Sequence, residues 1–378
     1  MSYIMTEEDE LIQQNANEFS EEYLAPIAAD IDKNNEYPQE AVEQLAENGF
    51  FGLCFPEEYS GAGTSYMSYI LALQEIAAKS GGVAAILMNH ISLAGCSINK
   101  WGTDEQKEKY LTPLCTGESI GAFAWSEKDA APGAGADALT AERNGTEFVL
   151  NGKKCYVANG GIAGIYIVAA VTGKTEKGNS FSLFIVPADT PGFRILRSID
   201  KMGLKACPWA EIVFDDCHIS EKNLLGKENE GLSMVQEAYL AANVAEGAVA
   251  IGIMQAAFDE ASDYAQNRVQ FNRAIVSFPA IQNMLAGIAK KLYFSRLAVY
   301  DAAGKMSEGE PFFMEAASIK SAVSEAGTQS MIDAVQVEGG YGYCEDMSVS
   351  RLYRDINGLF FTESTADFAE PVIVRETI

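Results

Sequence analysis

From about Thr6 to Pro113 apolar positions recur three and four residues apart, the spacing of helices with one buried face. Leu45, Phe50 and Leu53 sit near one helix end, Pro56 and the Ser60-Gly61-Ala62-Gly63 turn interrupt the pattern, and Met67, Ile70, Leu71, Leu73 and Ile76 resume it. From about Ser119 to Gly226 the period shortens. Apolar or alternating runs bounded by Gly, Asn and Asp, such as Phe148-Val149-Leu150, 165–171, 181–186 and Ile212-Val213-Phe214, predict short antiparallel strands. Helical spacing returns after about Gly231. It predicts helices over 281–303 and 311–337, with Pro311 near a start and Gly339-Gly340 at an end. The pattern therefore predicts an α+β chain in three parts: an all-α domain over 1–118, a central antiparallel β domain over 119–226 and a C-terminal helical domain over 227–378.

The apolar stretch from Ala241 to Phe258 contains Asn243, Glu246 and several Gly and Ala residues. That is poor for lipid and normal for a helix enclosed by other helices, so we read it as core. Gly160-Gly161-Ile162-Ala163-Gly164 precedes an apolar strand instead of following one, which argues against a Rossmann dinucleotide site.

Charge narrows the partners. Among 378 residues, 27 Lys and Arg face 53 Asp and Glu, a formal net charge of −26 that repels nucleic acid and anionic membrane surfaces. A phosphate-bearing ligand would need individual Arg or Lys residues and helix N-termini to hold it. Seven cysteines, with no C-x-x-C spacing, read as buried thiols in a reducing compartment. His90 and His218 are the only histidines and lack a paired-ligand spacing, so neither metal binding nor catalysis is expected of them. The N-terminus is acidic, without the basic start of a targeting peptide, and a cytoplasmic location is expected.

Five segments in register carry a resemblance. Phe123-Ala124-Trp125-Ser126-Glu127, the run from Leu150 to Gly161, Asp200-Lys201-Met202-Gly203, Arg268-Val269-Gln270-Phe271 and the run from Gln336 to Tyr343 with Arg351 to Asp355 beyond it resemble the acyl-CoA dehydrogenase family. The resemblance covers essentially the whole chain and is nearest to the short-chain, butyryl-CoA-type members. It implies a C-terminal four-helix bundle, bound FAD and a homotetramer in which two subunits contact each flavin.

By that resemblance Phe123, Ser126, Tyr156, Ala158 and Thr365 surround or hold the flavin, and Arg268, Phe271, Gln336, Gly339 and Gly340 of a neighbouring subunit hold its adenine and pyrophosphate. Arg268 read alone is a solvated residue at a helix end, and Gly339-Gly340 read alone is a helix C-cap. Glu363, in Phe360-Phe361-Thr362-Glu363-Ser364-Thr365, is implied as the base that takes the α-proton of a thioester while a β-hydride passes to flavin N5. Its backbone N–H would help to stabilise the thioester oxygen. Two preceding Phe residues are expected to dry the carboxylate, and Ser364 with Asp367 also fits a helix-capping box. Electrons would go to electron-transfer flavoprotein.

The chain departs from the family pattern at Ala158, where Thr is usual, at Asn243 for Arg, Asn272 for Gly and Pro279 for Gln, and around 128–137, where the CoA contacts stay unassigned. A minority of members carry the base on the central helix. That position here is Ala242, with Glu246 one turn further on and expected to pair within the helical core. The readings are therefore acyl-CoA dehydrogenation, the same chemistry run as enoyl-CoA reduction, or a non-catalytic subunit beside an active sibling.

Overall fold

The computed structural model describes residues 5–128, 139–176, 178–359, 361 and 366–378. The N-terminal part comprises α1 (Glu7–Phe19), α2 (Ala28–Asn34), α3 (Gln39–Glu47), α4 (Tyr66–Lys79), α5 (Gly81–Met88), α6 (Cys96–Trp101), α7 (Asp104–Gln106) and α8 (Thr112–Cys115). Thr6 starts α1 through a capping box with Asp9. The other oxygen of Asp9 accepts from Ser68 Oγ at 2.6 Å, tying α1 to α4.

The central part holds β1 (Gly121–Ala124), β2 (Thr140–Asn144), β3 (Glu147–Ala158), β4 (Ile165–Thr175), β5 (Gly178–Pro187), β6 (Phe193–Ile199), β7 (Trp209–Ser220) and β8 (Leu224–Leu225). They form one sheet in the order β6-β7-β3-β2-β4-β5-β8, with β1 beside β4. The sheet is mainly antiparallel, as the pattern predicts. Two details differ: β1 and β2 run parallel to β4, and β3 and β7 reach 12 residues each. Both faces of β4 are buried. Tyr166, Val168 and Ala170 enter the core of the β domain, while Ile165, Ile167 and Ala169 join the large helical core, so the strand reads as a continuous apolar run.

The C-terminal part comprises α9 (Gly231–Asn267), the hairpin β9 (Val269–Gln270) and β10 (Arg273–Ala274), α10 (Pro279–Glu308), α11 (Phe313–Glu338), α12 (Ser348–Gly358) and α13 (Ala366–Thr377). Helix α9 packs against α4, α10 and α11. A Cβ on its Gly252 would lie 2.2 Å from the Gln74 carbonyl of α4, so only glycine permits this approach. The stretches Gly81–Trp101 and Gly231–Asn267 are both long and apolar enough to cross a bilayer, yet 94% and 89% of their most apolar windows are buried inside the chain. Their hydrophobicity is that of core. No disulfide joins the seven cysteines; Cys344 is exposed and Cys54 and Cys96 only half-buried, so the expectation of uniformly buried thiols holds for four of them.

The three parts are pinned at one junction. Arg354 on α12 forms a two-pronged pair with Asp32 on α2 and donates to the Met202 carbonyl at 3.0 Å. Its neighbour Asp355 accepts from Leu204 N–H at 2.6 Å. Asp355 is 3% exposed, and burial raises its pKa to about 6 despite the opposing Arg351. A carboxyl with a raised folded-state pKa holds its proton more tightly when folded. Its contribution to stability is therefore greatest below pH ~4 and is lost as pH rises through ~6. Asp355→Asn keeps the acceptor for Leu204 and is expected to flatten this part of the stability profile, measured by urea unfolding across that range.

Candidate active site

The segment after β1 runs beside the end of β3. Cys155 N–H donates to the Ser126 carbonyl at 2.9 Å, and Asn159 Nδ2 donates to the Gly121 carbonyl at 3.0 Å. Between Lys154 and Val157 the β3–β7 register breaks, and Tyr156 takes φ +58°, a backbone region that bulky residues rarely enter. The bulge turns Tyr156 outward. Its ring is 51% exposed and lies 6.4 Å, centroid to centroid, from Trp209. Ala158 pairs across the sheet with Trp209, and Phe123 packs 5.9 Å from Tyr239 of α9. The structure thus brings Phe123, Ser126, Tyr156 and Ala158 together, with Trp209 as a member that the sequence reading missed.

A buried ion pair supports this group. Lys154 is fully buried and donates to Glu127 Oε1 at 3.0 Å and to the Trp125 carbonyl at 2.9 Å. Burial pulls its pKa down to about 8 against the attraction of Glu127. Glu127 Oε1 also accepts from Leu139 N–H at 3.0 Å. One carboxylate thereby fixes both sides of the 129–138 stretch, which holds most of the unassigned CoA-contact region and lies outside the described residues.

A second group forms where α9 and α11 end. Arg268 caps α9, and its guanidinium lies 5.8 Å from the Tyr341 ring centroid. Arg268, Gly340, Tyr341, Tyr264, Glu338 and Cys344 line a cavity of about 420 Å³. Gly339 caps α11 at φ +62°, ψ −135°, where glycine is required, so the helix-cap reading holds for it. A Cβ on Gly340 would meet nothing within 4 Å, which leaves that backbone open to the cavity. Gln336 is exposed and, like Phe271, does not line the cavity.

Two departures from the family pattern have local causes. Phe271 and Asn272, at φ +52° and +60°, make the two-residue turn between β9 and β10. That turn needs positive φ at both positions, which Asn tolerates well and Phe poorly. Phe271 is 87% exposed at the tip. Pro279 is the first residue of α10, where its fixed φ and missing N–H cost nothing.

Glu363 and Thr365 lie outside the described residues, as does the proposed capping box at Ser364. The approach to them is described. Lys320 of α11, 3% exposed, donates to both oxygens of Glu246 at 2.7 and 2.9 Å and to the Leu359 carbonyl at 2.6 Å. Glu246 therefore pairs within the helical core, as expected. Phe361 is 79% exposed in the single chain, and Phe360 lies outside the described residues, as does the carboxylate the two were expected to dry.

The sequence reading did not single out Lys320, Glu338 or Trp209. A charged residue at an otherwise apolar helical position, as for Lys320 and Glu338, was the available signal.

Comparison with known proteins accounts for this arrangement. The acyl-CoA dehydrogenase N-terminal, middle and C-terminal domain models match residues 6–118, 122–217 and 229–375. A protein of Clostridium sporogenes named 3-(aryl)acrylate reductase is 39% identical over 99% of both chains. Butyryl-CoA dehydrogenase from Megasphaera elsdenii superposes with a TM-score of 0.96 at 34% identity, covering 100% of this chain and 99% of that one. A chain in the solved structure of the electron transferring flavoprotein of Acidaminococcus fermentans gives a TM-score of 0.96 at 37% identity, with 100% of both chains covered. With all three domains matched in order along nearly its whole length, this chain belongs to the acyl-CoA dehydrogenase family.

Proposed function

We propose that the chain is an FAD enzyme that interconverts a saturated acyl-CoA and its α,β-unsaturated counterpart, with Glu363 as the base. The single observation that carries this reading is the convergence of Phe123, Ser126, Tyr156 and Ala158 where the segment after β1 meets the end of β3, within a chain that matches the family from end to end.

The residues present fit FAD. Tyr156, turned out by its bulge beside Trp209, offers an aromatic wall for a flat ring, and Arg268 with the open Gly340 backbone suits a pyrophosphate. FAD supplies the two-electron acceptor. The chain's own residues orient the thioester, exclude water from it and move the α-proton: Glu363 takes that proton during oxidation and returns it during reduction. The Glu363 backbone N–H stabilises the thioester oxygen while negative charge builds on it. Ala158 offers no hydroxyl to the flavin, so the ring loses a hydrogen bond that the usual Thr provides.

Electron-transfer flavoprotein is the proposed redox partner, supported by the likeness to a chain in an electron transferring flavoprotein structure. Tyr293, Phe294 and Leu297 of α10 and Ile332 of α11 are all at least 44% exposed, apolar surface that supports a homotetramer. The four-helix-bundle packing of the C-terminal part and a cytoplasmic location complete the reading. The reductive direction is favoured by the 39% identity to a protein named as an acrylate reductase.

Anaerobic titration tests the reading. A panel of saturated acyl-CoAs is added to the oxidised protein and enoyl-CoAs to the reduced protein, while the visible flavin band is followed. Bleaching by one acyl-CoA, or recovery of the band with one enoyl-CoA, names the substrate. A colourless protein that takes up no FAD would instead make this chain the non-catalytic subunit.

A further inference from the structure

Lys154 sits on β3 two residues before Tyr156 and four before Ala158, and its side chain crosses to the segment after β1. It is fully buried, and its partner Glu127 is only 8% exposed. Besides its bonds to Glu127 and the Trp125 carbonyl, the ammonium lies 5.7 Å from the centre of the Trp125 ring. Ser126, one of the residues implied at the flavin, stands in the chain between these two holding points. A second ion pair on the neighbouring strands, Arg197 with Glu211 at 2.7 Å, has its arginine open to solvent, where water screens it.

Charges buried in a protein act over several ångströms with little screening. Two-electron reduction of a flavin with uptake of one proton leaves one negative charge on its ring system. A fixed cation nearby therefore favours the reduced state, and a fixed anion favours the oxidised state. Lys154 and Glu127 pull in opposite directions on a flavin held by Ser126 and Tyr156.

We propose that the buried pair of Lys154 and Glu127 sets the reduction potential of the flavin, and with it the direction in which the site runs. The ammonium favours electron uptake from a saturated thioester, and the carboxylate favours electron delivery to an unsaturated one. This rests on the reading of the chain as an FAD enzyme. Lys154 is here a positioning residue: it touches no substrate and acts through the Trp125-Ser126-Glu127 segment that it holds.

The test equilibrates each holoprotein anaerobically, at about pH 7, with a reference dye poised at one fixed ratio of its oxidised and reduced forms. The reduced-to-oxidised flavin ratio is read from the visible spectrum. No acyl-CoA is present, so the reading is independent of turnover. Lys154→Met is expected to lower that ratio roughly tenfold and Glu127→Gln to raise it roughly tenfold, the scale of one uncompensated unit charge at a protein's effective dielectric constant. The double variant, with neither charge, should return to within about threefold of wild type.

A loosened flavin segment would move both single variants the same way, so opposite signs separate the field of the pair from a packing defect. Shifts of the same sign, or unchanged ratios in both, would overturn the proposal. Glu127→Gln is isosteric and keeps an acceptor for Leu139 N–H. It carries the test alone if Lys154→Met does not fold: a raised ratio supports the proposal, and an unchanged or lowered one overturns it. If wild type takes up no FAD, the flavin reading fails and this one with it.

Discussion

Glu363→Gln is expected to retain FAD and the fold while flavin reduction by the acyl-CoA substrate slows by roughly three orders of magnitude or more, the scale of losing a general base. The substitution is nearly isosteric and removes only the basic oxygen. The central helix does not carry a carboxylate at the position that some members use. The position where some members carry the base is Ala242, and Glu246 one turn along is committed to Lys320. Stopped-flow decay of the flavin band measures the effect, and an unchanged rate would move the base elsewhere.

Lys320→Met is expected to destabilise the protein by about 3–5 kcal/mol, because it removes the buried cation that donates to both oxygens of Glu246. The same change removes the Lys320 hydrogen bond to the Leu359 carbonyl, four residues before Glu363, so the rate of flavin reduction should fall as well. Replacing both partners tells the contributions apart. Glu246→Leu with Lys320→Met removes both charges of the pair and should recover most of the stability, while the rate stays low because the Lys320 bond to the Leu359 carbonyl is still missing. The urea midpoint followed by circular dichroism measures the first effect. An unmoved midpoint for Lys320→Met would mean that the pair contributes nothing to the fold.

Much of the architecture was legible because the period of the apolar residues changes where the structure changes. Helical spacing ends before β1 and returns at Gly231, the first residue of α9. The long, continuously apolar α9 was legible as core because Asn243 and Glu246 make it unfit for lipid. The parallel placement of β1 and β2 against β4 was not legible, since alternation along a strand says nothing about the direction of its neighbour.

At the site, the grouping of Phe123, Ser126, Tyr156 and Ala158 came from resemblance, and the reason Tyr156 faces outward came from the β3 bulge, which breaks the alternation that a sequence reading relies on. Lys320, Glu246 and Leu359 lie 74 and 39 residues apart along the chain, a separation that no local pattern spans. Glu338 sits inside a glycine motif, and its lack of a hydrogen-bond partner among the described residues is a property of the folded chain.

The most direct test of the central claim is solvent-deuterium incorporation at the α-carbon of the saturated acyl-CoA substrate, followed by mass spectrometry with the holoprotein in D2O. Proton removal at that carbon is the step assigned to Glu363 and is read here apart from electron transfer to a partner. The account predicts incorporation with wild type and essentially none with Glu363→Gln. Incorporation that persists undiminished in Glu363→Gln would contradict it.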